Sequence, residues 1–294
     1  MLDALAGTSD GAGFVGRGKG WTADDVEGHT QPLPYSTAPA GSSRPRRQTR
    51  HVSRKRRVFR RIAFTVTTLL AVVVIAVGGL LLITPSAGLA TQLARQQAAE
   101  HGIAYPGPPA PATFSRPLIA TEDHRFYSEP GVDPFAVARL AESQITGNTT
   151  NAGGATIEQQ LAKLLYTPGR SGVTAELKQV TLAFKLNFTY SKAQILDLYS
   201  EVAYYGHGYY GLEAASCGYF GHPAAELTPV QGAMLAGAVN APTVDDPIND
   251  PVQAHARLTH VIGRMVAVGD ITQAAGTRLL NTPLGVVPRS EAGC

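Results

Sequence analysis

Apolar residues recur along this chain in two different ways. The first is an unbroken run, IAFTVTTLLAVVVIAVGGLLLI at residues 62–83, with no charged side chain. At ~1.5 Å rise per residue it forms a helix about 33 Å long, enough to cross a bilayer. A buried core helix would show a polar stripe, and a secretory h-region is shorter, at roughly 7 to 15 residues. The run therefore reads as a transmembrane helix, with the small residues at 86–90 leaving cleavage open.

The second pattern is helical periodicity. Leu258, Val261, Ile262, Met265 and Val266 fall on one face of a helix. Helix starts are spelled where an oxygen-bearing side chain precedes a reciprocal partner by three places: Thr156 with Gln159, Ser191 with Gln194, Thr228 with Gln231, Asp250 with Gln253, and Asp270 with Gln273. Proline at the first helical position adds Pro117, Pro134, Pro229 and Pro251. No alternating strand pattern stands out, so the chain is predicted to be mainly α.

Composition divides the chain. Residues 1–61, rich in Gly, Ser, Thr, Pro and basic side chains, lack the apolar area to offset ordering entropy and read as a disordered basic cytoplasmic tail. After the span at 62–83, residues 84–113 read as a short amphipathic stalk and a proline-stiffened linker. A globular domain follows at 114–285, with a C-terminal tail at 286–294.

Charge sharpens this division. The formal net charge is only +3, yet ten Lys and Arg with no acid lie between Arg44 and Arg61, and beyond residue 61 there are 13 Lys and Arg against 17 Asp and Glu, a net of −4. The basic character is local, which argues against a nucleic-acid-binding body. Arginines crowd the N-terminal flank of the span, which keeps that flank in the cytoplasm, beside anionic membrane lipid, and sends the bulk outside. Cys217 and Cys294 match no metal-site spacing. A disulfide is permitted there but not demanded, so Cys217 reads as a small buried residue and Cys294 as a frayed terminus.

Four polar clusters interrupt the helical pattern. In LIATEDHRFYSEPGVDP, Glu122 and Asp123 sit among apolar neighbours, where a carboxyl can acquire a raised pKa suited to general-base work. An isolated E-D pair is more often an ordinary surface acid pair. In GGATIEQQLAKLL a flexible turn feeds a capped helix bearing Gln159, Gln160 and Lys163, an arrangement suited to phosphate, although the nucleotide P-loop spacing is missing. The stretches TAELKQVTLAFKLNFTYSKAQILDLYSE and VAYYGHGYYGLEAASCGYFG supply a broken helix pair and a Gly/Tyr loop that suits either a sugar or local packing.

Taken in order, and with the fifth segment LAGAVNAPTVDDP, these blocks resemble the family 51 glycosyltransferases over roughly residues 118–265. The resemblance implies a lysozyme-like helical glycosyltransferase domain preceded by one transmembrane helix. No S-x-x-K motif appears, which implies a monofunctional member. Position by position, Glu122 matches the catalytic base. Asp123, Arg125 and Phe126 continue its block, Gln159, Gln160 and Lys163 belong to the next, Lys178 matches a cation, and Arg170 lies near a family arginine. The implied reaction polymerises lipid II into β-1,4 glycan with inversion and release of polyprenyl pyrophosphate.

The implied partners are lipid II, the growing glycan chain, membrane lipids and cell-wall synthesis proteins. No cofactor is required; a divalent cation, Mg or Mn, can accompany the pyrophosphate, and no dedicated metal cage is visible.

Departures from the family pattern are specific. The second family acid falls on Gln179 and a further common acid on Asn187; Ala155, Glu158 and Glu129 stand where serine, a neutral residue and histidine are usual. Glu176, one turn before Gln179 on the same face, is a candidate compensating acid. The missing acids motivate a rival reading as a non-catalytic cell-wall-binding scaffold. A lytic, lysozyme-like enzyme is a weaker rival.

Overall fold

The computed structural model describes residues 51–133, 154–288, 290 and 293–294. The expected tail therefore lies outside the described residues as far as residue 50, as does Pro134. Ten α-helices are described, with no strand among these residues beyond an isolated bridge between Tyr204 and Tyr210.

Helix α1, His51–Ile83, is longer than the apolar run because its first turns take in the arginines and Lys55. Arg and Lys are good helix formers, so the basic flank continues the helix rather than ending it. Within the apolar part, the hydroxyls of Thr65, Thr67 and Thr68 donate to the carbonyls four residues back, at 2.9 Å each, so these three hydroxyls are paired within the helix itself.

The segment expected as stalk and linker packs into the body. In α2, Ala90–Glu100, Ala90, Ala94 and Ala98 recur every fourth residue and are buried. Gln97 donates to the Leu164 carbonyl at 2.9 Å. Further on, the N–H groups of Gly107 and Ala110 donate to the carboxylates of Glu201 and Asp197. An alanine stripe gives a weak hydropathy signal but permits close helix approach, which is why composition alone suggests a solvated stalk.

Helix α3, Ala112–Glu122, contains Pro117 in its interior, not at its first position. Proline cannot donate to the carbonyl four residues back, that of Thr113. That freed carbonyl faces helix α8, Pro229–Ala238, so closely that a Cβ on Gly232 would stand 2.1 Å from it. The α3/α8 crossing thus uses proline on one helix and glycine on the other.

Four helices follow α3: α4, Ile157–Tyr166; α5, Val173–Thr189; α6, Lys192–Val202; and α7, Leu212–Phe220. With α2 and α3 they enclose one core around Phe114, Leu161, Leu182, Ile195, Tyr199 and Tyr219. A second core joins α8 to α9, Pro251–Ala267, through Val230, Met234, Leu258, Val261 and Ile262. Helix α10, Gln273–Leu280, closes that side.

The expected capping boxes form at Thr156, Ser191 and Thr228, and Asp250 accepts from the Gln253 N–H. The expected Asp270 cap is displaced: Thr272 caps α10 by accepting from Ala275, and Asp270 instead binds Arg116 on α3 at 2.8 Å.

The cysteines also differ from expectation. Cys217 and Cys294 form a disulfide, and the Gly293 N–H donates to the Cys217 carbonyl at 2.9 Å. Cys294 is stapled to α7, a pairing that a sequence separation of 77 hides from a local reading.

Candidate active site

Glu122 is the last residue of α3, so its side chain leaves the helix where the chain turns. It is nearly buried, with 9% of the side chain exposed, and both carboxylate oxygens have partners. Oε1 accepts from an Arg257 guanidinium nitrogen at 2.9 Å; Oε2 accepts from the Gln160 amide at 3.0 Å. The other end of Gln160 accepts from the Tyr199 hydroxyl at 2.8 Å. Burial and the Glu122 charge push the Tyr199 pKa upward, which keeps that hydroxyl protonated as a donor.

Arg257 reaches this position from the second turn of α9. Its Nε donates to the Gly237 carbonyl at 3.0 Å and lies 3.7 Å from the buried Asp245 carboxylate. Gly237 is needed for the approach, since a Cβ there would stand 3.0 Å from the Arg257 stem and 2.9 Å from Val261. The guanidinium, placed between two carboxylates, offsets the cost of burying both.

Asp123, next in the chain, has a structural role. Its carboxylate accepts from the Ile157 N–H at 3.2 Å, closing the first turn of α4 onto the end of α3. Burial raises its pKa, opposed by that hydrogen bond. The Thr156 hydroxyl accepts from Gln159 and donates to the Gly131 carbonyl at 2.8 Å, so the loop after Asp123 is fastened to the same turn. Gly131 has φ +82°, and a Cβ there would stand 2.5 Å from the Ala183 carbonyl of α5. Arg125 pairs with Glu129 and, at 2.6 Å, with Asp133; Phe126 is buried.

The expected phosphate-binding residues lie outside this hydrogen-bonded group. Lys163 is exposed on α4, three residues after Gln160 and therefore toward the same side; Lys178 is half-buried on α5. Neither is bonded to Glu122 among the described residues. Arg170 is exposed in the α4–α5 loop. Gln179 donates to the Thr167 hydroxyl at 2.9 Å, tying α5 to the end of α4, while Glu176 is exposed without an ion pair among the described residues.

Sequence reading missed Arg257 and Tyr199. The available signal for Arg257 was weak: an arginine four residues before Val261 at the edge of an apolar helical face, a place that Arg264 of the same helix shares. What it pairs with, 135 residues away, is invisible to any local pattern. Taken as geometry, the group is a nearly buried carboxylate held between a guanidinium and an amide, with Lys163 on α4 and Lys178 on α5 outside its hydrogen-bonded shell.

Comparison with known proteins gives this geometry a context. Residues 90–266 match the family described as "Transglycosylase". The chain is 35% identical over 174 residues to penicillin-binding protein 1A of Neisseria gonorrhoeae, covering 59% of this chain and 22% of that one. It is 37% identical over 169 residues to the protein of the same name from Aquifex aeolicus, covering 58% and 23%. With that of Mycobacterium tuberculosis it shares 37% over 160 residues, covering 53% and 19%. The match thus spans only about a fifth of the length of these relatives. The crystal structure of penicillin-binding protein 1A from Haemophilus influenzae aligns with a TM-score of 0.32 and 29% identity, covering 34% of this chain and 15% of that one.

Proposed function

This chain belongs to the transglycosylase family, that of the family 51 glycosyltransferases, and on that premise we propose that it polymerises lipid II into peptidoglycan glycan strands at a membrane surface. Glu122 carries the reading. It is the general base that removes the 4-hydroxyl proton of the acceptor as that oxygen attacks the donor's anomeric carbon. The polyprenyl pyrophosphate departs from the opposite face, so the α-linked donor is inverted to a β-1,4 bond.

The geometry around Glu122 supports this role. Arg257 and Gln160 each hold one carboxylate oxygen and so fix the plane of the group, while each oxygen keeps a lone pair for an incoming hydroxyl. Lys163, Lys178 and Arg170 then stabilise the charge that develops on the pyrophosphate. A divalent cation, Mg or Mn, would act through the same phosphates.

Two observations support placement at the outer membrane surface. A disulfide between Cys217 and Cys294 suits an oxidising compartment. Helix α1 is long and apolar enough to span, and none of its apolar window is buried inside the protein. Close to its end, Lys185 of α5 donates to the carbonyls of Thr84 and Pro85 at 2.9 and 3.1 Å. The chemistry is thus tethered to the bilayer that carries the substrate, with the basic N-terminal flank inside.

The test is polymerisation of a fluorescent lipid-linked disaccharide by the full chain and by Glu122→Gln. A general base contributes about a hundredfold or more, so the variant should be slower by at least that factor. Wild-type turnover in Glu122→Gln overturns the assignment. Glycan bound without turnover by the unaltered chain would favour the scaffold reading, for which the neutral Gln179 is the motive, and shortened glycan would favour a lytic one.

A further inference from the structure

Two acids that depart from the family pattern, Glu158 and Glu129, are brought to one lysine. Lys192, the first residue of α6, places its Nζ 2.6 Å from the Glu158 carboxylate and donates to the Glu129 backbone carbonyl at 2.9 Å. The same ammonium lies 4.4 Å from the centre of the Phe126 ring. Glu158 is fully buried in the first turn of α4, and its second oxygen has no hydrogen-bond partner. Burial raises its pKa, with the Lys192 hydrogen bond opposing that rise. Among the described residues Lys192 is the cation paired with this carboxylate, and it is committed to three groups at once.

These three groups belong to the elements that hold the base. The first turn of α4 carries Ile157, whose N–H binds Asp123, and Gln160, whose amide binds Glu122. The segment with Phe126 and Glu129 is the loop that leaves Glu122 and Asp123. Lys192 therefore fixes the loop and the α4 turn to one another.

We propose that Lys192 and Glu158 are positioning residues for the glycosyl-transfer reaction, a buried pair that sets the register between the loop after Glu122 and the α4 turn bearing Gln160. This rests on the reading of Glu122 as the base. The pair touches no reacting atom; it acts through the orientation of the Glu122 carboxylate. A small misplacement of a reacting group can lower the rate of the chemical step by about a hundredfold, with little effect on substrate binding.

A purely structural ion pair makes a different prediction. Removing one partner of a buried pair is destabilising, whereas replacing both by apolar residues is often neutral or stabilising. The combined variant Lys192→Met with Glu158→Leu should therefore regain the melting temperature lost in Lys192→Met alone. It should not regain kcat, because the Glu129 carbonyl and the Phe126 ring have still lost their cation.

The experiment measures kcat, KM and melting temperature for the full chain in detergent micelles with fluorescent lipid-linked disaccharide. Lys192→Met and the double variant are both expected to lose about tenfold to a hundredfold in kcat at nearly unchanged KM. Glu158→Gln, which keeps the shape and a hydrogen bond to Lys192, secures the test should the others fold poorly; it should show a smaller kcat loss with KM preserved. Wild-type kcat in Glu158→Gln, or restored kcat alongside the restored melting temperature in the double variant, overturns the proposal. Glu122→Gln in the same assay separates the two readings. If it is inactive while Lys192→Met matches the wild type, only the positioning role falls; if it is fully active, the base itself was misassigned.

Discussion

Helices α5 and α9 are both 17 residues long and both carry apolar side chains at helical spacing, yet they treat them differently. In α9 one face, Leu258, Val261, Ile262 and Met265, is buried against α8, and the opposite face carries Thr259 and His260 among small residues, with Val252 as its exposed large apolar side chain. In α5 the face carrying Leu182, Ala183 and Leu186 is buried, while Val173, Leu177, Phe184 and Phe188 project outward, Phe188 being 69% exposed. A water-facing surface has no use for such a row. The same helical period serves a protein interior in one case and suits an apolar medium on its second face in the other. The bonds from Lys185 to Thr84 and Pro85 bring α5 to the end of the long apolar helix α1.

The comparison can be broken most forcefully on its buried side. Gly232→Val sets a branched side chain against the Thr113 carbonyl, where even a Cβ would stand at 2.1 Å and backbone must move. The cost should exceed about 3 kcal/mol, read as loss of cooperative melting. A variant melting like the wild type would show that α3 and α8 are not interlocked as described.

Arg257→Leu comes next. It leaves Glu122 and the buried Asp245 without their shared cation, which should lower stability by about 3 kcal/mol in denaturant unfolding and reduce polymerisation strongly. Unchanged unfolding would mean that the α9 face needs no internal charge to complete it.

The gentlest change probes the outward face of α5. Phe188→Trp should alter stability by no more than about 0.5 kcal/mol. In chains reconstituted into vesicles, its emission should be quenched by brominated acyl chains; the native Trp21, in the N-terminal segment, provides the reference through the unaltered protein. Insensitivity of the new tryptophan to bromolipid would return both helices to the same aqueous setting and erase the contrast.

What could be read from the sequence was what short-range chemistry determines. The caps at Thr156, Ser191 and Thr228 need only residues three apart, and they form as expected. The mainly helical architecture follows from the same local signals. Where a cap competed with a distant partner, the local rule lost: Asp270 went to Arg116, and Thr272 took over α10. Pro117 sits inside a helix because the carbonyl it leaves unbonded fits a glycine on another helix, a relation spread over 115 positions of chain. The site divides in the same way. Glu122 stood out through its neighbours and its resemblance, whereas Arg257, Lys192 and the disulfide depend on contacts that only the folded chain creates.

The two bonds that Lys185 makes to Thr84 and Pro85 have a further effect. They grip the chain just as it emerges from α1, which on the proposed topology leaves no slack between anchor and catalytic body. On the proposed orientation, the elevation of Glu122 above the lipid headgroups is then gauged by a side chain rather than by the wandering of a leash, and an acceptor sugar of fixed length on a membrane-bound carrier would meet the carboxylate without a vertical search.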